Sequence, residues 1–96
     1  MSTEIVTAPQ ARSESRIYPC DYTDDLLTGV TVESATATVT TPSGETTALD
    51  TPLVETPFVY VEYEEPDEIG VHVIEVVATL SNDETSTVRL RVPVEY

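Results

Sequence analysis

Lysine and tryptophan are absent from this 96-residue chain, and cysteine and histidine each occur once. The single cysteine, Cys20, excludes an internal disulfide, and we expect it to be an ordinary buried apolar side chain. No apolar run approaches the roughly 18 residues of a membrane-spanning helix, and residues 1–10 lack the basic and apolar segments of a signal peptide. These absences predict a protein that stays in the cytoplasm unless it leaves as part of an assembled particle.

Basic charge is scarce as well, since four arginines stand against eighteen aspartates and glutamates and the formal net charge is −14. This balance excludes the usual cationic surface for nucleic acid and disfavours docking on anionic membranes. Acidic, lysine-poor composition rich in threonine and valine is typical of proteins adapted to multimolar salt, where screening suppresses self-repulsion. We therefore expect a salt-adapted (halophilic) source, and the alternative is an ordinary acidic surface on a small domain.

Valine and threonine are what the chain has in abundance, with fourteen and sixteen copies. Both residues are β-branched and favour strands over helices. Residues 30–41 alternate, with Ala35, Ala37 and Val39 on one face and threonines on the other. Residues 71–80 are apolar on both faces, which is typical of a central strand. The sequence therefore predicts one all-β domain.

Turn residues divide residues 16–96 into about seven predicted strands, as in an antiparallel β-sandwich. Residues 1–15 are polar, and we predict that they form an N-terminal arm that is disordered or ordered only by a neighbour. The predicted strands are residues 17–20, 30–41, 45–49, 58–63, 71–80 and 85–94, with residues 50–57 as a loop or a short edge strand.

A structural corner is predicted at the start of the longest strand, where the chain has Glu68, Gly70 and His72 at alternate positions. This spacing resembles the tyrosine corner of immunoglobulin-like domains, in which a phenol bonds to a backbone carbonyl. Glutamate and histidine here replace the usual aspartate and tyrosine. Because an imidazole N–H can make the same hydrogen bond, the resemblance implies the same role for His72.

A second resemblance is carried by the run YTDDLLTGVTVESATATVTTPSGE, which covers residues 22–45. It resembles the opening of small immunoglobulin-like virion proteins of tailed viruses, which often have an Asp-Leu-x-x-Gly stretch, an alternating strand and a Pro-Asp-Gly hairpin. The resemblance extends over residues 18–96. It implies an all-β, immunoglobulin-like antiparallel sandwich, and a place as a neck, tail or fibre adaptor, a baseplate module or a capsid decoration.

Catalytic chemistry has little support, so we predict no enzyme, no catalytic residue and no cofactor. His72 falls on the inward face of the most apolar strand, where a hydrogen-bonded buried histidine is expected, and Cys20 lies on a different strand. Weak candidates for a divalent metal are Asp21, Asp24 and Asp25, which share one loop. The alternative for these carboxylates is a solvated acidic surface, and we predict no specific metal site.

Surfaces are the features that point to function. The outward-facing valines of the longest strand are expected to flank the aromatic strand, and the two arginines of the arm and its end could find acidic partners on another subunit. The predicted interface consists of Arg12, Arg16, Tyr60, Tyr63, Val71, Val73 and Val77.

These observations together predict a non-enzymatic structural protein of a virion, made in the host cytoplasm. Its expected partners are other virion proteins and copies of itself, with neither nucleic acid nor membrane among them. The alternatives are a capsid decoration, a cellular or virion-surface adhesion domain that recognises glycan or protein, and a small acidic inhibitor that mimics nucleic acid.

Overall fold

The computed structural model describes residues 2–95, and for residues 2, 3 and 25 it describes the backbone alone. This part of the chain is all-β, with two packed sheets, one short 3₁₀ turn at Thr23–Asp25 and no α-helix. The all-β prediction is confirmed. The strands are β1 (Ser2–Val6), β2 (Arg16–Asp21), β3 (Val32–Thr40), β4 (Thr46–Ala48), β5 (Leu53–Glu55), β6 (Phe58–Tyr63), β7 (Gly70–Leu80) and β8 (Thr85–Val94).

The larger sheet has five strands in the order β1-β8-β7-β3-β4. Its neighbours are antiparallel except β1, which runs parallel to β8. The run that is apolar on both faces forms β7, between β8 and β3, as its pattern predicts. The Pro42-to-Glu45 turn joins β3 to β4, and Gly44 there has a positive φ of 93°, which glycine adopts without strain.

The smaller sheet has three strands in the order β2-β6-β5. Pro19 has no backbone N–H to donate, so the strand that contains it is expected at an edge, and β2 is an edge strand. The other edge, β5, is only three residues long. The aromatic strand β6 therefore lies at the centre of this sheet.

The loop at residues 64–69 carries the chain from β6 in the smaller sheet to β7 in the larger one. Gly70 ends the loop with a φ of 132°, a region that glycine tolerates best. A β-carbon at Gly70 would also lie 2.8 Å from Cγ of Pro42. The β3–β4 turn and the start of β7 can therefore approach closely because this position has no side chain.

The core lies between the two sheets and follows the alternation of each strand. Both long strands β7 and β8 bury every second residue, and β3 buries Ala35, Ala37 and Val39. The inward residues of the smaller sheet are bulkier. They are Tyr18, Cys20, Val59, Val61 and Tyr63.

Residues 2–6 differ from the prediction of an arm that is disordered or ordered only by a neighbour. They form β1, which pairs with β8 of the same chain in the register Ser2↔Thr87 to Val6↔Arg91. The backbone contact continues at Gln10, whose N–H donates to the carbonyl of Pro93 at 2.9 Å. The eighth strand, beyond the seven expected, comes from this segment, which has no alternating pattern long enough to indicate a strand.

Candidate functional site

His72 lies at the predicted corner and is fully buried. Its Nε2 is 2.8 Å from the backbone oxygen of Glu68, and its Nδ1 is 2.6 Å from the hydroxyl of Tyr63. A carbonyl oxygen only accepts, so Nε2 donates its proton to Glu68, and in the neutral ring Nδ1 then accepts from Tyr63. The bond from Nε2 holds the loop at residues 64–69 onto β7, and the bond at Nδ1 joins β7 to Tyr63 of β6, so neither ring nitrogen is open to a substrate.

Tyr63 was predicted at an interface, and the structure corrects this. Its side chain is 6% exposed and faces the core, because Tyr63 is three positions from Tyr60 and odd spacings along a strand fall on opposite faces. Burial, together with the charges of Asp67 and Glu68, raises the pKa of Tyr63 to about 12. Tyr63 is therefore a neutral donor to His72 in the interior.

Gln10 is a buried polar residue, and no pattern in the sequence singles it out. It is 1% exposed, and its side-chain NH₂ donates to the backbone oxygens of Glu14 at 2.6 Å and Tyr63 at 3.1 Å. The hydroxyl of Tyr18 donates to its side-chain oxygen. Gln10 therefore joins β2 and β6 of the smaller sheet to the β8 backbone of the larger one.

Cys20 is buried, as expected, and burial raises the pKa of its thiol to about 11. A thiol with such a pKa is almost entirely protonated at neutral pH and is a poor nucleophile or metal ligand. Cys20 is accordingly part of the packing between the sheets.

The carboxylate of Asp21 accepts hydrogen bonds from the backbone N–H of Thr23, at 2.9 Å, and from its hydroxyl. These bonds lower the pKa of Asp21 and fix the turn after β2. The side chain of Asp25, a weak metal candidate with Asp21 and Asp24, lies outside the described residues. Among the side chains that the structure does describe, no group of three or more histidine, cysteine or acidic residues could hold a metal ion.

The outward face of the larger sheet is made mainly of β-branched side chains, and we call it the valine–threonine face. One row places Val73 between Thr40 of β3 and Arg91 of β8, and another row places Val77 between Thr36 and Thr87. The face comprises Glu4 and Val6 of β1, Thr87, Arg89 and Arg91 of β8, Val71, Val73, Glu75 and Val77 of β7, and Thr36, Thr38 and Thr40 of β3.

Charge on the valine–threonine face is balanced. Nε of Arg89 is 3.0 Å from Oε2 of Glu75, and Nε of Arg91 is 2.6 Å from Oε1 of Glu4. These pairs use two of the eighteen acidic residues and two of the four arginines, so the other sixteen acidic residues and two arginines carry the whole net charge of −14. The residues that make up the valine–threonine face therefore carry no net charge, although the molecule as a whole is strongly acidic.

The outward face of the smaller sheet is different, and we call its apolar centre the tyrosine patch. Tyr60 of β6 lies between Pro19 of β2 and Leu53 of β5 in the sheet register. The rings of Phe58 and Tyr60 stack with centroids 6.1 Å apart. The patch comprises Ile17, Pro19, Leu53, Phe58 and Tyr60.

The valines of β7 were expected to flank the aromatic strand, and the structure corrects this as well. Val71, Val73 and Val77 point outward from the larger sheet, whereas Tyr60 points outward from the smaller one. The loop at residues 64–69 moves the chain between sheets, so consecutive strands present opposite sides of the molecule. Of the predicted interface residues, Tyr60 and the three valines thus lie on two separate surfaces.

The two arginines near the N-terminus lie against acidic residues of their own chain. Nε of Arg16 is 2.8 Å from Oε1 of Glu14. Arg12 is exposed and lines a shallow groove with Glu65 and Asp67. Acidic residues of the same chain therefore already lie beside the two arginines that were expected to pair with another subunit.

Comparison with protein-family models, curated protein sequences and solved structures finds no match to this chain. None of the described residues forms a helix that is long and apolar enough to cross a membrane. Function is therefore inferred from the two outer faces and from the side chains that the interior already engages.

Proposed function

We propose that this chain is a non-enzymatic structural subunit of a tailed-virus particle. In this role it is an immunoglobulin-like module that acts by binding neighbouring subunits, as an adaptor at the neck, tail or fibre. The valine–threonine face is the observation that carries the proposal, because it is the broad side on which another copy can approach without facing net charge.

Strand order supports the immunoglobulin-like part of the proposal. If β2 to β8 are taken as strands B, C, C′, D, E, F and G, the sheets read B-E-D and G-F-C-C′, which is the grouping of variable-type domains without strands A and C″. In this assignment His72 lies near the start of strand F, where the corner residue of such domains is found. Its bond to the Glu68 carbonyl is the kind of bond that the tyrosine of a corner makes.

The interior supports the non-enzymatic part. His72 has both ring nitrogens in hydrogen bonds, and the raised pKa of Cys20 keeps its thiol protonated. Side chains that would serve as a general base or a nucleophile are thus used for packing and for fixing a loop.

The test is the size of the full chain measured by light scattering in low salt and in molar KCl. High salt screens the repulsion between the acidic parts of neighbouring copies, so we expect oligomers that grow with salt. Val73→Glu would add a charge at the centre of the valine–threonine face and should leave a folded monomer, as judged by circular dichroism. The matched control is Leu27→Glu, at an exposed loop position outside that face, which should still assemble.

A monomer in every condition, or assembly that survives Val73→Glu, would contradict self-contact through this face. Truncation of residues 1–15 would be a poor test, since it removes both β1 and the buried Gln10.

Place in the particle is tested separately, with an antibody against the chain applied to particles from cells that carry its gene. Label at the neck or tail is expected, whereas label on the capsid surface would indicate a decoration protein. Label on the cell envelope without particles would favour the second candidate, an adhesion domain. That candidate is favoured by the partly exposed Tyr60, since an aromatic ring on an open face can stack against a sugar or a protein side chain.

A further inference from the structure

The tyrosine patch leaves large apolar side chains open to solvent on the side opposite the valine–threonine face. Ile17 is 62% exposed and Leu53 is 61% exposed. Both lie on regular strands, and the next residue along each strand points inward. Together with Tyr60, they border a shallow hollow at one edge of the sheet. Contiguous apolar side chains of this kind on a soluble protein mark an interaction site.

Carboxylates surround this apolar centre. Glu62 lies opposite Ile17 in the register, Asp21 and Glu55 lie on either side of Phe58, and Asp50 borders the hollow. Of the four arginines, Arg89 and Arg91 lie on the other sheet, and Arg16, beside the patch, is paired with Glu14. The patch is therefore an apolar centre with an acidic rim of Asp21, Asp50, Glu55 and Glu62.

The pKa of Glu64, a neighbour of the rim, shows that negative charges are crowded there. The pKa of Glu64 is raised, first by its hydrogen bond to Glu62 and by the charge of Glu62, and further by Asp50 and Glu65. Cations placed among these carboxylates would relieve the repulsion.

We propose that the tyrosine patch binds a basic segment of another protein, whose apolar side chains cover Tyr60 and whose arginines or lysines meet the acidic rim. Charge complementarity selects this partner. Apolar contact supplies the centre of the interface, and opposite charge at the rim supplies orientation and association rate.

A second copy of this chain is the wrong occupant for the patch. The chain has no lysine, and three of its four arginines are already in ion pairs on their own molecule. A copy would bring mostly further carboxylates against the acidic rim, and like charges facing each other across an interface are unfavourable.

Docking on the side chains is favoured over pairing at the strand edges. Pro19 removes a donor from β2, and β5 offers only three residues as an edge. Short or proline-containing edges are poor templates for an added strand. The partner therefore lies across the face of β2, β6 and β5.

The proposal concerns a different surface from the one that carries the proposed function, so either can fail alone. The test is a titration of the full chain, labelled with ¹⁵N, with the synthetic peptide Arg-Ile-Arg-Phe-Arg in low salt. We expect amide shifts concentrated in β2, β5 and β6. The neutral peptide Ser-Ile-Ser-Phe-Ser should bind the chain at least tenfold more weakly than the basic peptide does. The basic peptide should also bind the Tyr60→Ser variant at least tenfold more weakly than it binds the unchanged chain.

Two variants with the same change in net charge separate the rim from general acidity. Asp50→Asn with Glu55→Gln and Glu62→Gln removes three of the four rim charges and keeps Asp21, which fixes the turn after β2. This variant should bind the basic peptide at least tenfold more weakly and with a smaller salt dependence. The control, Glu45→Gln with Asp83→Asn and Glu84→Gln, lies at turns of the larger sheet and should bind as the unchanged chain does. Both triple variants should retain the fold, which circular dichroism checks.

Three results would overturn the proposal. The first is an equal loss of binding in both triple variants, or shifts spread over all acidic loops, since either would mean diffuse attraction of a basic peptide. The second is self-association that requires Tyr60. The third is a neutral oligosaccharide that produces the same shifts at β2, β5 and β6, which would assign the patch to a glycan.

Discussion

The outer faces of the two sheets differ in charge although both belong to one small, strongly acidic molecule. On the larger sheet, Glu4 and Glu75 are matched by Arg91 and Arg89, and valine and threonine fill the remaining positions. On the smaller sheet, an aromatic and aliphatic centre is bordered by carboxylates without a matching base among the described residues. We therefore propose that the first face contacts another copy of the chain and that the second binds a partner of opposite charge.

The inner faces differ in a related way. The larger sheet contributes mostly aliphatic side chains to the core, while the smaller sheet contributes two tyrosines and a cysteine. The tyrosine hydroxyls are bonded to Gln10 and His72, which belong to the N-terminal segment and to the larger sheet. Contact between the sheets thus depends on a few buried hydrogen bonds as well as on apolar packing.

The largest expected effect comes from removing the residue that bonds to both sheets. Gln10→Ala leaves the Tyr18 hydroxyl and the Tyr63 carbonyl without this partner in the interior, and should lower the free energy of unfolding by about 3 kcal/mol. Urea denaturation measures the change. The control Arg12→Ala, at an exposed position two residues away, should change it by no more than about 0.5 kcal/mol. Equal effects of the two variants would show that Gln10 does not join the sheets.

Alkaline pH is expected to act on the inner face of the smaller sheet. Burial raises the pKa of Tyr63 to about 12, that of Cys20 to about 11, and that of Tyr18 above its ordinary value. The unfolded chain releases these protons at lower pH than the folded chain, so stability is intact below about pH 9 and falls as pH rises through 12.

Urea midpoints measured at several pH values test this expectation. Tyr63→Phe and Cys20→Ala should each make the alkaline loss shallower, because each removes a group that titrates on unfolding. Val61→Ala, on the same inner face, should lower stability by a similar amount at every pH. A curve that is flat to pH 12 in the unchanged chain would contradict the role given to these groups.

The smallest effect is expected on the valine–threonine face. Glu75→Gln with Arg89→Gln removes an exposed ion pair and leaves the face neutral, so the free energy of unfolding should change by less than about 1 kcal/mol. Salt-promoted assembly should persist, because neutrality is kept. Loss of assembly in light scattering would mean that the ion pair itself, and not the absence of net charge, makes the contact.

Much of the fold could be predicted from alternation along the strands. The inward faces of β3, β7 and β8, the Pro42-to-Glu45 turn and the edge position of Pro19 all follow from local patterns. The same period of two, applied to β6, would have placed Tyr63 inside and Tyr60 outside. Two aromatics that are close in the sequence of a strand therefore need not share a surface, because an odd spacing puts them on opposite faces.

Other features depend on contacts between distant residues and have no local signal. The pairing of β1 with β8 brings Glu4 to Arg91, and neither residue indicates the other in the sequence. Gln10 lies in a polar segment, and its sequence context is that of a solvent-exposed residue, although it is buried in the structure. The balance of charge on one face could be recognised only after the order of the strands was known.

The parallel pairing of β1 with β8 has a consequence for how the protein is made. Residues 2–6 leave the ribosome well before their partners at residues 87–91, which lie far along the chain. The β1 segment stays unpaired while the residues between it and β8 are synthesised, and this edge of β8 stays open until the two strands pair. Pairing over so long a separation favours slow folding, and in a crowded cell it gives nascent copies time to exchange their first strands.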